Sequence, residues 1–276
     1  MKNLLIWIAI LALTAAGMGY YLQQQKHIKQ TSATTVQEKP LALPESAPEP
    51  AINYPVPQED KTQAAKGTGD VESPDAIVPK APLPALSDSD QPLLNDLGEL
   101  FDPKKYQDQF FFKEIIQRFV VTVNNLTTTN LSRKYLLVRP VKGKFAVTQN
   151  AQGEVVLDPN NFARYGIYVS LLESIDIEQL VALYVRYYPL FQQAYESLGY
   201  PGKYFNDRVI EVIDNLLDAP VVQGEIKLKQ PKVFYEFADP TLESLSAGQK
   251  IMVRMGTDNA ERIKVVLRNM RLELIR

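Results

Sequence analysis

Asp207, Glu211, Asp214 and Asp218 are spaced so that, on a helix turning roughly 100 degrees per residue, all four carboxylates fall within an arc of about 60 degrees. Just upstream lies a crowd of aromatics: Tyr184, Tyr187, Tyr188, Phe191, Tyr195, Tyr200, Tyr204 and Phe205. Acids beside aromatic rings raise the question of a sugar-cutting groove. That chemistry needs two carboxyls facing each other across the substrate, one held protonated and one ionised. A single helical arc supplies only one of those walls. Like charges four residues apart also weaken a helix slightly, so such a stripe faces water or a basic partner. Lys264, Arg268 and Arg271 share an arc near the end of the chain, and some of them are expected to pair with the stripe.

Other chemistries close on absence. The single histidine is His27 and the chain has no cysteine, so the region beyond it has no imidazole or thiolate. Zinc sites and Ser-His or Cys-His nucleophiles need those groups. No Gly-rich phosphate loop is present either. The sequence therefore predicts no metal site and no cofactor. Between Glu114 and Glu154 the chain has no acid, while Arg133, Lys134, Arg139, Lys142 and Lys144 lie there as candidate binding residues for an anionic headgroup or an acidic partner. The alternative is charge scatter that the fold neutralises from elsewhere. Residues 91–276 hold 23 bases and 22 acids, a balance that does not suggest a nucleic-acid partner.

The elements that must hold these residues are mostly helices. From Asp176 to Leu198, apolar and tyrosine positions recur at the three-and-four spacing of one buried stripe, with Ile177, Leu180, Val181, Tyr184, Tyr187, Tyr188, Phe191, Ala194, Tyr195 and Leu198 on it. The tyrosines thus read chiefly as core. Pro189 inside that helix predicts a kink. Gly199-Tyr200-Pro201-Gly202 ends it. The next helix is expected to begin after Asn206 or Asp207, both good caps. Asp90-Gln91-Pro92 and Asp102-Pro103 read as helix starts, the second opening a run to about Leu126. Asp158-Pro159 opens another helix to about Ser174, and Asp176 caps the long one. Two small β elements are expected around KFAVTQNAQGEVVLD and at 224–237, and two helices at about 241–254 and 258–275 close the chain. The fold class is mainly α, with an α+β flavour: a single helical domain over 91–276 with a minor β-hairpin element.

Several of these blocks carry a resemblance. Tyr187-Tyr188-Pro189-Leu190-Phe191-Gln192, Leu198-Gly199-Tyr200-Pro201, Tyr204-Phe205-Asn206-Asp207-Arg208 and Val212-Ile213-Asp214-Asn215-Leu216-Leu217 are similar to the bacterial domain-of-unknown-function family 3014. So are Arg254-Met255-Gly256 and Asn259-Ala260, and the likeness spans roughly residues 90–276. Its signature positions here are Tyr188, Pro189, Gly199, Tyr200, Pro201, Tyr204, Phe205, Asn206, Asp207, Arg208 and Asp214. Members often carry His after the Asp of the Val-Ile-Asp block; Asn215 stands there in this chain, which weakens any catalytic reading of the site. The resemblance implies a Gram-negative protein with one N-terminal span, a Pro-rich linker and a soluble domain. It implies no activity.

The N-terminal third fits that layout. Leu4 to Leu22 is 19 residues without charge, enough to cross a bilayer core of roughly 30 Å as a helix. Large aromatics, Tyr20 and Tyr21, continue past the small residues Ala15-Ala16-Gly17, which favours an uncleaved signal anchor at 1–22 over a cleaved signal peptide. A short leading tail places the rest outside the cytoplasm, in the periplasm. Residues 23–90 are rich in Pro, Ala, Glu and Ser and read as a disordered linker that averages about 45 Å as a coil and reaches on the order of 200 Å extended. The expected function is that of a non-enzymatic inner-membrane protein whose helical domain binds an envelope protein or polymer. The alternative is a carboxylate-dependent enzyme acting on cell-wall glycan. The two separate on one observation, whether the acids line a common cleft with carboxyls on facing walls.

Overall fold

The computed structural model describes residues 52–57, 82–129, 131 and 134–276. The expected span at 4–22 and most of the linker lie outside these residues. Among the described residues, no helix is long and apolar enough to cross a membrane.

In chain order the helices are α1 (Asp90–Gly98), α2 (Ile115–Asn125), α3 (Asn160–Ala163), α4 (Gly166–Glu173), α5 (Ile177–Ser197), α6 (Phe205–Leu217), α7 (Pro240–Glu243), α8 (Ala247–Arg254) and α9 (Thr257–Leu274). Two antiparallel pairs complete the set: β1 (Val147–Gln149) with β2 (Val155–Leu157), and β3 (Leu228–Lys229) with β4 (Glu236–Phe237). A single bridge from Val156 to Lys227 joins the pairs. The fold is mainly α with minor β.

α6 is the centre of the packing. Val209, Ile210, Val212, Ile213 and Leu216 are all buried, and α2, α8 and α9 pack around it while α5 lies against α2 and α9. Phe205, at the first turn, is fully buried among Phe119 of α2 and Phe191 and Tyr195 of α5, with ring centroids 5.9, 6.1 and 5.3 Å away. Gly248 on α8 allows the closest approach: a Cβ there would stand 2.6 Å from Leu216 Cδ2 and 3.2 Å from the Leu126 carbonyl. Only a residue without a side chain lets the two helices meet at that distance.

The stripe on α5 is the core face, with Leu180, Val181, Tyr184, Tyr187, Phe191, Ala194 and Tyr195 buried. Ile177 and Tyr188 are partly buried, and Leu198 is 41% exposed because the helix has ended and the chain is turning. Asp176 caps α5 by accepting from the Glu178 and Gln179 amides, and the helix runs as one element through Pro189. Gly199 and Gly202 sit at φ +97° and +73° in the turn into α6, conformations that glycine adopts without a Cβ penalty.

Three boundaries differ from expectation. Asp102 does cap a turn, accepting from the Lys104 amide, but only of a short 3-10 helix over Pro103–Tyr106. Residues 109–111 then run alongside the 137–139 segment, with the Phe111 amide donating to the Leu137 carbonyl, so α2 starts only at Ile115. The helix after Asp158 is split into α3 and α4 around Arg164-Tyr165. The packed unit also begins earlier than residue 91. Leu83 and Leu86 pack against the main core, and Asp90 accepts from the Glu114 and Ile115 amides at 2.7 and 2.8 Å, serving as a remote cap for α2.

Candidate functional site

α6 begins at Phe205 with Tyr204 as its cap residue, two residues before the expected start. The side chains expected to cap it are engaged elsewhere. Asp207 accepts from the backbone amides of Asn53 (3.2 Å) and Tyr54 (2.7 Å), and Asn206 donates from Nδ2 to the Tyr54 carbonyl (3.0 Å). Residues 52–57 fall within the stretch read as a linker, yet they lie on the first turn of α6. Tyr54 packs against the main core as the only Phe, Tyr or Trp between Leu22 and Phe101.

Beside this contact opens a cleft of about 1080 Å³. One wall is the acidic side of α6, with Asp207, Glu211, Asp214 and Asp218; the others are Asn53 and Tyr54, Asn124 and Thr127 at the end of α2, and Tyr195, Tyr200, Lys203 and Tyr204 from the α5–α6 corner. Helix packing sets this acidic face along one common concavity. Tyr195 and Tyr200 stack at 4.8 Å with their planes 10° apart, and the Tyr200 hydroxyl accepts from Asn124 Nδ2. These rings are therefore wall as well as core.

The cations that meet the stripe are specific. Arg271 on α9 holds Asp214 through two bonds, Nε to Oδ1 at 2.6 Å and Nη2 to Oδ2 at 3.2 Å, as the charge arcs predicted. The pairing with Asp214 pushes the Arg271 pKa up, and the nearby Tyr54 hydroxyl adds to it. Lys264 is instead buried and donates to the Ala219 carbonyl beyond the end of α6, while Arg268 is exposed. Within α6, Arg208 meets Glu211 at 2.6 Å and also donates to the Asn124 side chain (3.1 Å) and carbonyl (2.6 Å) and to Thr127, tying α6 to the end of α2. Asn215 accepts from the Ser246 hydroxyl at 2.7 Å and its carbonyl accepts from Gln249 Nε2, so this position joins α6 to α8.

The four acids on the cleft's walls come from α6 and, for Asp218, from the cap residue that ends it, and three are already met: Asp207 by backbone amides, Glu211 by Arg208 and Asp214 by Arg271. Among the described residues that line it, no carboxyl faces them from another wall. Such a surface presents hydrogen-bond acceptors from one side. The carboxylates whose pKa is held below the usual range, Asp108, Glu154 and Glu173, lie elsewhere and owe it to hydrogen bonds from Lys142, Lys227 and Arg262. The aromatic side is governed by burial, which pushes Tyr188 up to about 12 and raises Tyr195.

The other candidate residues are engaged one by one. Arg139 lies over the Phe111 ring at 4.1 Å and donates to the Gln107 and Phe110 carbonyls, a structural use of its guanidinium. Lys142 pairs with Asp108 at 2.7 Å, an acid from before the acid-free run. Lys134 sits over Tyr135, and Lys144 is exposed. Arg133 lies outside the described residues.

With this geometry in place, the comparison with known families is decisive. A family described as "Protein of unknown function (DUF3014)" matches residues 115–271. The chain belongs to the DUF3014 family. The match takes in Asn206, Asp207, Arg208, Asp214 and Arg271 and leaves out residues 52–57. No curated protein and no solved structure matches this DUF3014 chain.

Proposed function

We propose that this DUF3014 protein is a membrane-anchored binding module of the cell envelope. Residues 4–22 are its single inner-membrane span, and the helical domain stands in the periplasm, where the cleft along α6 binds an envelope protein or polymer. The observation that carries this reading is the cleft itself. It combines stacked tyrosines with carboxylates that gather on one helix and accept hydrogen bonds, an arrangement built for holding a ligand. The reading assigns no catalytic residue, no cofactor and no nucleic-acid partner. The competing reading, a carboxylate-dependent enzyme on cell-wall glycan, is disfavoured because its two catalytic carboxyls would have to come from the same wall.

A photo-crosslinking residue placed at Glu211, in the cleft, and separately at exposed Val265, outside it, tests the assignment in the native envelope. A discrete adduct from position 211 and none from 265 is expected. The same adduct from both positions, or none from 211, contradicts a binding role for the cleft. The topology is checked by fusing a periplasm-dependent reporter to the C-terminus: an active reporter in the inner-membrane fraction is expected, and an inactive one overturns the placement.

A further inference from the structure

We propose that Asn206 and Asp207 form a clamp for a Xaa-Tyr-Pro peptide that bends at its first two residues, and that residues 52–57 are its resident ligand in cis. The proposal rests on the binding role given to the cleft and names the class of ligand. Asp207 takes two consecutive amide N–H groups, those of Asn53 and Tyr54, while Asn206 takes the Tyr54 carbonyl. Those three bonds read backbone, which every peptide has. The Asn53 side chain adds a longer contact of its own, Nδ2 to Asp207 Oδ2 at 3.5 Å, and the tyrosine side chain is left to be selected separately.

Selection falls on the tyrosine. Tyr54 is half-buried against the core, and its hydroxyl contributes to the environment of Arg271, itself fixed by Asp214 about two turns along the same face from Asp207. Pro55 follows, and proline restricts the backbone of the residue before it, here part of the bend at Asn53-Tyr54. Asn206 is fully buried, and its Oδ1 has no hydrogen-bond partner among the described residues. A buried amide with one side spent on the Tyr54 carbonyl and the other unmet is not explained by packing alone, since such an atom costs free energy. It is explained if the position is kept for gripping a chain. The cleft continues beyond Asn53 and Tyr54 past Lys203, Tyr204 and Glu211, so a longer peptide in trans gains contacts that the strap does not make.

Only 24 residues separate Pro57 from Pro82, where the packed domain resumes. A connection of that length gives the strap an effective concentration on the order of millimolar, which an external peptide must overcome. The strap thereby sets a threshold for the ligand.

The test uses the full chain in detergent and a fluorescein-labelled peptide of residues 50–59, followed by anisotropy. The Tyr54→Ala chain, its strap loosened, is expected to bind the peptide at least about tenfold more tightly than wild type. A peptide with Phe in place of the tyrosine should bind about tenfold more weakly, the loss of one hydrogen bond to a charged group. Asp207→Asn in the Tyr54→Ala chain should also weaken binding at least about tenfold. Circular dichroism confirms that each variant is folded, and an Asn206→Asp variant provides a second probe of the clamp if Asp207→Asn is not. No binding by the Tyr54→Ala chain, equal binding by both chains, or indifference to both clamp substitutions overturns the proposal. So does binding of an N-acetylglucosamine tetramer in the peptide's place. If the crosslink from position 211 persists while the peptide fails, the cleft remains a binding site and the clamp alone is wrong.

Discussion

At the residue scale, the account turns on side chains whose obvious local use was overridden. Asn206 and Asp207 have the chemistry of helix caps, and sequence reasoning placed them at the boundary of α6. The structure puts them in its first turn and spends them on the backbone of Asn53 and Tyr54. The pairing of Arg271 with Asp214 was legible, because two charge arcs on adjacent helical stretches can be drawn from spacing alone. Two predictions belong here. Gly256 has φ +84°, and a Cβ would stand 2.7 Å from Phe162 Cγ, so Gly256→Ala should destabilise the domain by about 1–3 kcal/mol in urea unfolding. The second concerns Tyr168, Tyr187 and Tyr188, each pushed up to about 12 chiefly by burial. The unfolded chain ionises these groups near pH 10 and the folded chain does not, so their stabilising effect is whole below pH 10. It is lost as pH rises from about 10 to about 12. Absorbance at 295 nm should show a tyrosine step displaced above 10 that coincides with unfolding by circular dichroism. A step complete near pH 10 in a still-folded chain would contradict the burial of these rings.

At the element scale, helices with long periodic stripes were readable and short, tertiary-determined pieces were not. α5 and α9 carry enough turns for spacing to identify the buried face. α2 begins late because residues 109–111 pair with 137–139, a long-range contact that no local signal announces. Its first amides are then met by Asp90, 24 residues upstream of Glu114. Asp90→Ala should cost about 1–2 kcal/mol, measured as a lower urea midpoint with an unchanged slope. No change in midpoint would mean that water serves α2 equally well. In the basic run Arg139 lies on Phe111 and Lys142 pairs with Asp108, contacts with residues before the run that its own sequence does not announce.

At the scale of the whole molecule, the helical unit is larger than its periodicity suggests. Composition averaged over residues 23–90 is dominated by proline and acids, and that average conceals Ile52-Asn53-Tyr54-Pro55, the stretch with its sole tyrosine. The lone aromatic was the available signal. A chain beginning at residue 91 loses Leu83, Leu86 and Asp90 and should be at least about 2 kcal/mol less stable than one beginning at residue 82. Equal stability of the two would place the boundary at 91 after all. If the linker positions the domain above the membrane, the strap also shortens the connection on its N-terminal side to residues 23–51, so reach and cleft occupancy change together.

The most direct measurement of the central claim, that the first turn of α6 grips the backbone of a second segment, is amide hydrogen exchange at Tyr54 in the full-length protein. The Tyr54 amide donates to Asp207 at 2.7 Å, so it should exchange markedly more slowly than the same amide in a free peptide of residues 50–59. Asp207→Asn should remove most of that protection while the amides of α9 keep theirs. Exchange of Tyr54 at the free-peptide rate in the wild-type chain would contradict the account.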